Sequence, residues 1–179
     1  IETNTGVTVI EGSNANPITA TSLNATDSDG GTLTYTVTSA VTNGTLFVDG
    51  NGTGTTNGVF DTRETVGTGS FTQADIDNGS LYYGHDGSES ITENFEFTVT
   101  DGNGSSTSVN IFTINVTAVD DPPTLATSST DADYTASDSG FIVDDSLSVS
   151  DPDGGTTDGA TVAIGSGFNA SVDVLGFNS

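Results

Sequence analysis

The chain has 179 residues, of which 25 are Asp or Glu against a single basic side chain, Arg63, and its formal charge is −24. Such a charge repels phosphate and anionic headgroups, which argues against nucleic acid and membrane surfaces as partners. Cysteine is absent and His85 is the lone histidine, so disulfides, thiolate zinc sites, cysteine nucleophiles and multi-histidine metal sites within one chain are excluded.

Hydrophobic residues make up only 32% of the chain, and low hydrophobicity with high net charge is a signature of disorder. The pattern argues instead for strands. No apolar run approaches the roughly 20 residues that cross a bilayer, so no membrane insertion is expected. In chain order, strands are expected around Val7–Ile10, Ile18–Ala25, Leu33–Thr38, Thr45–Val48, Ser80–Tyr83, Phe95–Thr100 and Val109–Ala118. Leu33, Tyr35 and Val37 alternate with threonines, as Phe95, Phe97 and Val99 do with Glu96, Thr98 and Thr100. Period two puts one set in a core and the other in water. In the last segment Val109 and Ile111 have one parity and Phe112, Ile114 and Val116 the other. Strict alternation cannot bury both, so a β-bulge is expected near Ile111 and Phe112. Thr72–Asp77 reads as a helical turn capped by Thr72. Asn-Gly and Asp-Gly turn formers separate the segments, including Asp29-Gly30, Asn43-Gly44, Asn57-Gly58, Asn78-Gly79 and Asp101-Gly102. The fold class this implies is an all-β sandwich.

An internal repeat sets the domain organisation. Leu23-Asn24-Ala25-Thr26-Asp27-Ser28-Asp29-Gly30-Gly31-Thr32 recurs as Leu147-Ser148-Val149-Ser150-Asp151-Pro152-Asp153-Gly154-Gly155-Thr156, an offset of 151 − 27 = 124. Asp120-Asp121-Pro122-Pro123 is the expected joint, since two prolines stiffen a short connection. Residues 1–123 then form a complete repeat, and residues 124–179 the first part of a second. Strand-like runs in that part are Leu147 with Val149, Val162 with Ile164 and Val172 with Val174. Counterparts of residues 80–117 are missing from it. Its apolar faces are therefore expected to pack on strands of a longer polypeptide or of another chain.

Three stretches in order, Phe71–Gly79, Leu81–Glu89 and Phe95–Gly102, resemble the cadherin-like repeat of the chondroitin-sulfate-proteoglycan type, found in tandem in giant secreted bacterial surface adhesins. The resemblance covers the first repeat, and Leu147–Gly155 with Ser166–Asn178 resemble the first half of a related one. It implies an immunoglobulin-like Greek-key sandwich, calcium (Ca2+) at repeat boundaries, and work in adhesion and extension outside the cell. The calcium ligands it implies at one pole are Glu11, Asp86 with Glu89, Asp120 with Asp121, and Asp151 with Asp153. Asp27, Asp29 and Asp101 would form the opposite pole, facing a preceding repeat. Two departures stand out: the acids of His85-Asp86-Gly87-Ser88-Glu89 are one residue wider apart than in cadherins, and Ala118 stands where cadherin linkers often place Asp.

The chemistry of the residues supports the same cation. Calcium takes 6–8 oxygen ligands, many of them carboxylates, and one arginine cannot neutralise 25 acids. An isolated Asp-x-Asp-Gly-Gly reads as a β-turn with solvated acids. Two copies 124 residues apart, with more acids at the joint, favour calcium. Other constellations read more plainly. His85, Asp86 and Ser88 sit too close along the chain for a hydrolytic triad, and no enzyme is expected. Asp75 and Asp77 reflect the abundance of acids rather than a glycosidase pair. Asn-x-Ser/Thr triplets, including Asn24, Asn43 and Asn115, arise readily in a chain with 32 threonines. Tyr35 and Tyr83 have inward parity; Tyr82 and Tyr134 are the other candidates for a sugar-stacking surface. The expected partners are neighbouring repeats or copies of the chain and a host or surface glycan or protein. Three functional classes stand side by side: a calcium-stiffened adhesive spacer on a bacterial cell surface, a fibre subunit completed by a neighbour's strands, and a carbohydrate- or protein-binding module.

Overall fold

The computed structural model describes residues 1–49, 63–128, 142–144, 146–156, 161–163, 166, 169, 171 and 174–176. The expected turn at Asn57-Gly58, Tyr134, and the strand residues Ile164 and Val172 lie outside them. The chain divides into two units, Ile1–Val119 and Asp120–Ser179.

The first unit is a β-sandwich. One sheet has five strands: β2 (Val7–Ile10), β5 (Thr34–Ser39), β8 (Ser70–Thr72), β10 (Thr92–Thr100) and β11 (Asn110–Thr117), in the order β2-β11-β10-β5-β8. The other has four: β3 (Asn16–Pro17), β6 (Gly44–Asp49), β7 (Arg63–Thr65) and β9 (Leu81–His85), in the order β3-β9-β6-β7. A two-stranded piece joins β1 (Thr3–Asn4) to β4 (Leu23–Asn24). Neighbours are antiparallel except β2, which runs parallel to β11 from Val7 opposite Ile114 to Ile10 opposite Thr117.

Period-two patterning explains the core. Val37, Phe95, Phe97, Val99, Phe112, Ile114 and Val116 of one sheet face Leu46, Leu81 and Tyr83 of the other in one buried cluster. Tyr35 stacks on Phe71 at 4.9 Å between ring centres, and Phe95 on Phe112 at 5.1 Å. Offset aromatic pairs add about 0.5–1.5 kcal/mol beyond their area. Tyr35 and Tyr83 are fully buried, and Tyr82 packs flat on Phe47 at 5.7 Å. The helical turn α1 (Gln73–Asp77) starts on a reciprocal cap: Thr72 Oγ1 accepts from Asp75 N at 3.2 Å, and Asp75 Oδ2 accepts from Thr72 N at 2.7 Å. That satisfies two of the donors a helix start leaves open.

Two expectations need correction. The segment Ile18–Ala25 is not one strand. The Thr19 carbonyl accepts from Ser22 N at 2.9 Å and Leu23 N at 3.0 Å, folding a turn between β3 and β4, which serve different sheets. Short polar side chains favour such local turns over a ladder, and the Ser22 hydroxyl reinforces this one at 3.0 Å. The bulge does not lie at Ile111 either. The pairing of β11 with β10 runs unbroken from Thr92–Asn115 to Phe97–Asn110, and Val109 and Ile111 are simply exposed. Isolated surface aliphatics are common in folded proteins. The register shift lies between β10 and β5, where consecutive Glu96 and Phe97 face Ser39 and Val37, so Thr38 is the extra residue.

Glu93 shows what the inward face of β10 does with a charge. It is 4% exposed and accepts from Thr42 N, Thr42 Oγ1, Asn43 N and Asn43 Nδ2 at 2.6–3.1 Å. Burial alone would raise its carboxyl; the backbone N–H groups of Asn43 and Thr42, with their side chains, outweigh that and hold it below the ordinary 4.5. A depressed native value contributes stability above the unfolded value, lost as pH falls through the native one. Glu93→Gln is therefore expected to cost on the order of 1–3 kcal/mol at neutral pH. The gap to the parent should narrow as the pH is lowered past 4.5. Urea denaturation of both proteins across that range checks it, and a pH-independent gap would contradict the charge-based account.

In the second unit, β12 (Thr124–Ala126) pairs antiparallel with β13 (Ser148–Ser150), and all six residues are exposed.

Candidate metal centre

Glu11 directly follows β2, and its backbone N–H continues the ladder to Thr117 O at 3.0 Å. This turns the side chain into the end of the sandwich, where it is only 9% exposed. Its Oε2 accepts from Val119 N at 2.9 Å, while Oε1 is buried with no hydrogen-bond partner. A buried carboxylate oxygen left unpaired costs free energy unless something positive meets it. What lies nearby is another acid: carboxylate oxygens of Glu11 and Glu89 come within 4.8 Å of one another.

The loops carrying these acids are braced by His85, at the end of β9. Its ring is buried, Nδ1 accepts from Gly12 N at 3.2 Å and Gly87 N at 3.1 Å, and Nε2 meets Ser90 Oγ at 2.9 Å. Accepting two N–H groups requires Nδ1 to be unprotonated, which places the proton on Nε2, toward Ser90. One imidazole thus ties the Glu11–Gly12 corner to the Asp86–Ser90 loop. His85 is a brace here, and its ring nitrogens are not engaged with Ser88. Asp86 is exposed, and its Oδ1 accepts from Ser88 N at 3.0 Å.

At the other end of β10 and β11, two acidic loops meet. Asp27 Oδ1 accepts from Asp29 N at 3.3 Å, and Asp27 Oδ2 is buried without a partner. Asp101 Oδ1 accepts from Asn103 N at 2.7 Å and Ser105 N at 3.1 Å, and those two N–H groups hold its carboxyl below the usual range. Asn103 Nδ2 reaches Gly30 O at 3.4 Å. Gly31 sits at φ +156°, and a Cβ there would lie 2.5 Å from Asp101 O, so no larger residue lets the loops approach this closely. The structure therefore brings the Asp27 and Asp101 loops together, with exposed Asp29 taking a bond from the Ser28 hydroxyl at 3.2 Å.

Within the second unit, Asp153 N donates to Asp151 Oδ1 at 3.1 Å, and Gly154 has φ +71°. This repeats the turn of Asp27-Ser28-Asp29-Gly30, where Gly30 has φ +78°. Asp153 Oδ2 also accepts from Asp121 N at 2.6 Å, so the Asp120-Asp121 segment is tied to the second unit's own Asp-x-Asp turn. Asp120 is exposed.

Two buried acids escaped the sequence reading. Glu93 shares the parity of Phe95, so period two does place it inward. Asp49 ends β6 and is 2% exposed, with Oδ1 unpartnered; beside Gly50 it reads as an ordinary turn residue.

A model of the cadherin-like family matches residues 1–116. Halomucin of Haloquadratum walsbyi is 65% identical over 54 residues, which are 30% of this chain and 1% of that protein. The chain thus spans a very small part of this relative's length. No solved structure gives a significant match. With its β-sandwich and a family match over most of its length, the chain belongs to the cadherin-like family.

Proposed function

We propose that the chain is a calcium-stiffened repeat of a large, secreted cell-surface protein, working in extension and adhesion. The observation that carries the reading is Glu11: a buried carboxylate with one oxygen unpaired and a second carboxylate within 4.8 Å. Glu11 is buried and Glu89 is exposed, so water screens part of the repulsion between these like charges but leaves the unpaired Glu11 oxygen uncompensated. A divalent cation turns that repulsion into a bond between loops, and carboxylate oxygens suit hard calcium. Glu11 and Glu89 would hold the ion. Family membership supports the structural and adhesive role. The relative's name, a mucin, supports a place outside the cell, and its length supports a long array.

Calcium titration by calorimetry tests the site. Glu11→Ala is expected to weaken binding by roughly tenfold or more, and Glu96→Ala, on the outer face of the five-stranded sheet, to leave it unchanged. Equal affinity of parent and Glu11→Ala would move the ion elsewhere.

A second reading concerns the second unit. Leu125, Ile142, Val143, Leu147, Val149 and Val174 are all more than 40% exposed, and β12 with β13 is only a two-stranded pair. Such a pair is marginal by itself. Further strands, from a longer polypeptide or a second copy, would cover these side chains. Light scattering separates the two sources, because only a second copy raises the mass above one chain.

A further inference from the structure

We propose that Asn115 carries an N-linked oligosaccharide, an inference that rests on the extracellular reading above. An Asn-x-Ser/Thr triplet is weak evidence by itself in a threonine-rich chain. The fold separates the triplets. A sugar can stay only where the finished structure leaves both the amide and the neighbouring surface open.

Most described triplets fail that test. Asn43 Nδ2 is committed to Glu93 Oε1 at 2.6 Å, within the buried clamp. Asn78 is the C-cap of α1, and its Ser80 is 3% exposed. Asn24 is half-buried, and the hydroxyl of its Thr26 donates to Glu2 Oε1 at 3.0 Å. Asn103 is held between Asp101 and the Gly30 carbonyl. In the second unit, Asn169 Oδ1 accepts from the N–H and hydroxyl of Ser171 at 3.1 and 2.7 Å; these bonds engage the oxygen and not the nitrogen that would carry a sugar, so they do not exclude this triplet.

Asn115-Val116-Thr117 differs from the other triplets of the first unit. It lies in β11, so Asn115 and Thr117 point to the same side, away from buried Val116. Both are exposed, and neither side chain makes a hydrogen bond among the described residues. The cross-strand neighbours of Asn115 are Thr92 on β10 and Thr8 on β2, both exposed, short and uncharged. The nearest carboxylate among the described residues of this outer face is Glu96, two rows along the ladder. Hydroxyls there can bond a sugar's own hydroxyls. Ile10, opposite Thr117 and 59% exposed, offers apolar surface for a sugar ring's C–H face.

The transfer precedes the laying of β11 between β2 and β10, because the extended chain must enter the transferase. The donor class is a polyprenyl-phosphate- or pyrophosphate-linked oligosaccharide. The Asn115 amide nitrogen bonds to the anomeric carbon as that carbon's bond to the phosphate oxygen breaks. The amide gives up one proton to a base, and the lipid phosphate leaves. The Thr117 hydroxyl is the group the transferase reads.

The test uses protein recovered from the surface or medium of the cells that make it. With a single basic residue in the chain, trypsin is of little use. Cleavage after Phe112 and before Asp120 releases Thr113–Val119, which contains one asparagine. This peptide is expected to carry a saccharide mass increment that fragmentation places on Asn115. Asn115→Gln and Thr117→Ala should remove the increment and Thr117→Ser should keep it, all with unchanged melting. An unmodified peptide from extracellular protein would overturn the proposal and leave the surface reading intact. So would an increment that persists in Asn115→Gln, which marks a threonine-linked sugar. Unmodified protein confined to the cell interior would overturn both.

Discussion

Excess chelator is expected to lower the melting temperature of the chain by about ten degrees or more. An ion that binds only the folded state stabilises it by RT ln(1 + [L]/Kd), about 2.7 kcal/mol at one hundred times its dissociation constant. A small domain shifts its melting point by roughly 4–8 °C per kcal/mol. A second ion at the Asp27–Asp101 end would add to this. The structural ground is the pair of buried, unpartnered oxygens, Glu11 Oε1 and Asp27 Oδ2, one at each end of the sandwich. With the ion gone, the unpaired Glu11 oxygen has lost its counter-charge while the Glu89 carboxylate remains within 4.8 Å. Ionic strength must be matched, because monovalent salt also screens such repulsion. An unchanged melt in matched salt would leave the acids as solvated surface charge and sink the calcium reading.

How far the sequence discloses this molecule depends on the range over which its information acts. Strand existence and facing are local, and period two alone places Tyr35, Val37, Phe95, Phe97 and Val99 in the core, where all are under 5% exposed. The Thr72 cap is local too, since its partner is three residues away. The turn inside Ile18–Ala25 was harder to see, because it competes with a β-branched composition that favours strand. The bulge expected in β11 does not form, and nothing in the sequence pattern pointed to the register shift at β5. Parity conflict within β11 was resolved by exposing Ile111, while Thr38 of β5 bulges because of its pairing with β10. Of the site, the Asp-x-Asp-Gly turns are local, and their shared geometry at Asp27 and Asp151 follows the repeat. That Glu11 meets Glu89 while Asp86 turns to Ser88 depends on how β2 and β9 end side by side. Only long-range pairing, braced by His85, decides that.

The largest effect of a single substitution is expected at Phe97. Its ring is fully buried, 5.5 Å from Tyr35 and 5.7 Å from Phe95 between ring centres. It belongs to the central strand pair of the five-stranded sheet and faces the four-stranded one across the core. Phe97→Ala removes the ring's transfer free energy and leaves a cavity that neighbours locked in a two-sided sheet cannot close, a loss of about 3–5 kcal/mol. The aromatic contacts to Tyr35 and Phe95 are part of that loss. Glu96, one residue earlier, points to the outer face beside exposed Ile111, and Glu96→Ala should fall within about 0.5 kcal/mol of the parent. The pair forms an internal control, since both positions share a strand, a ladder and the register shift opposite Thr38. Chemical denaturation with calcium held in excess separates core packing from metal binding. If Phe97→Ala and Glu96→Ala shifted the midpoint equally, the facing of β10 would be wrong, and with it the inward place of Glu93. A large loss at Phe97 alone, with calcium affinity retained, would show that core packing and metal binding contribute to stability independently.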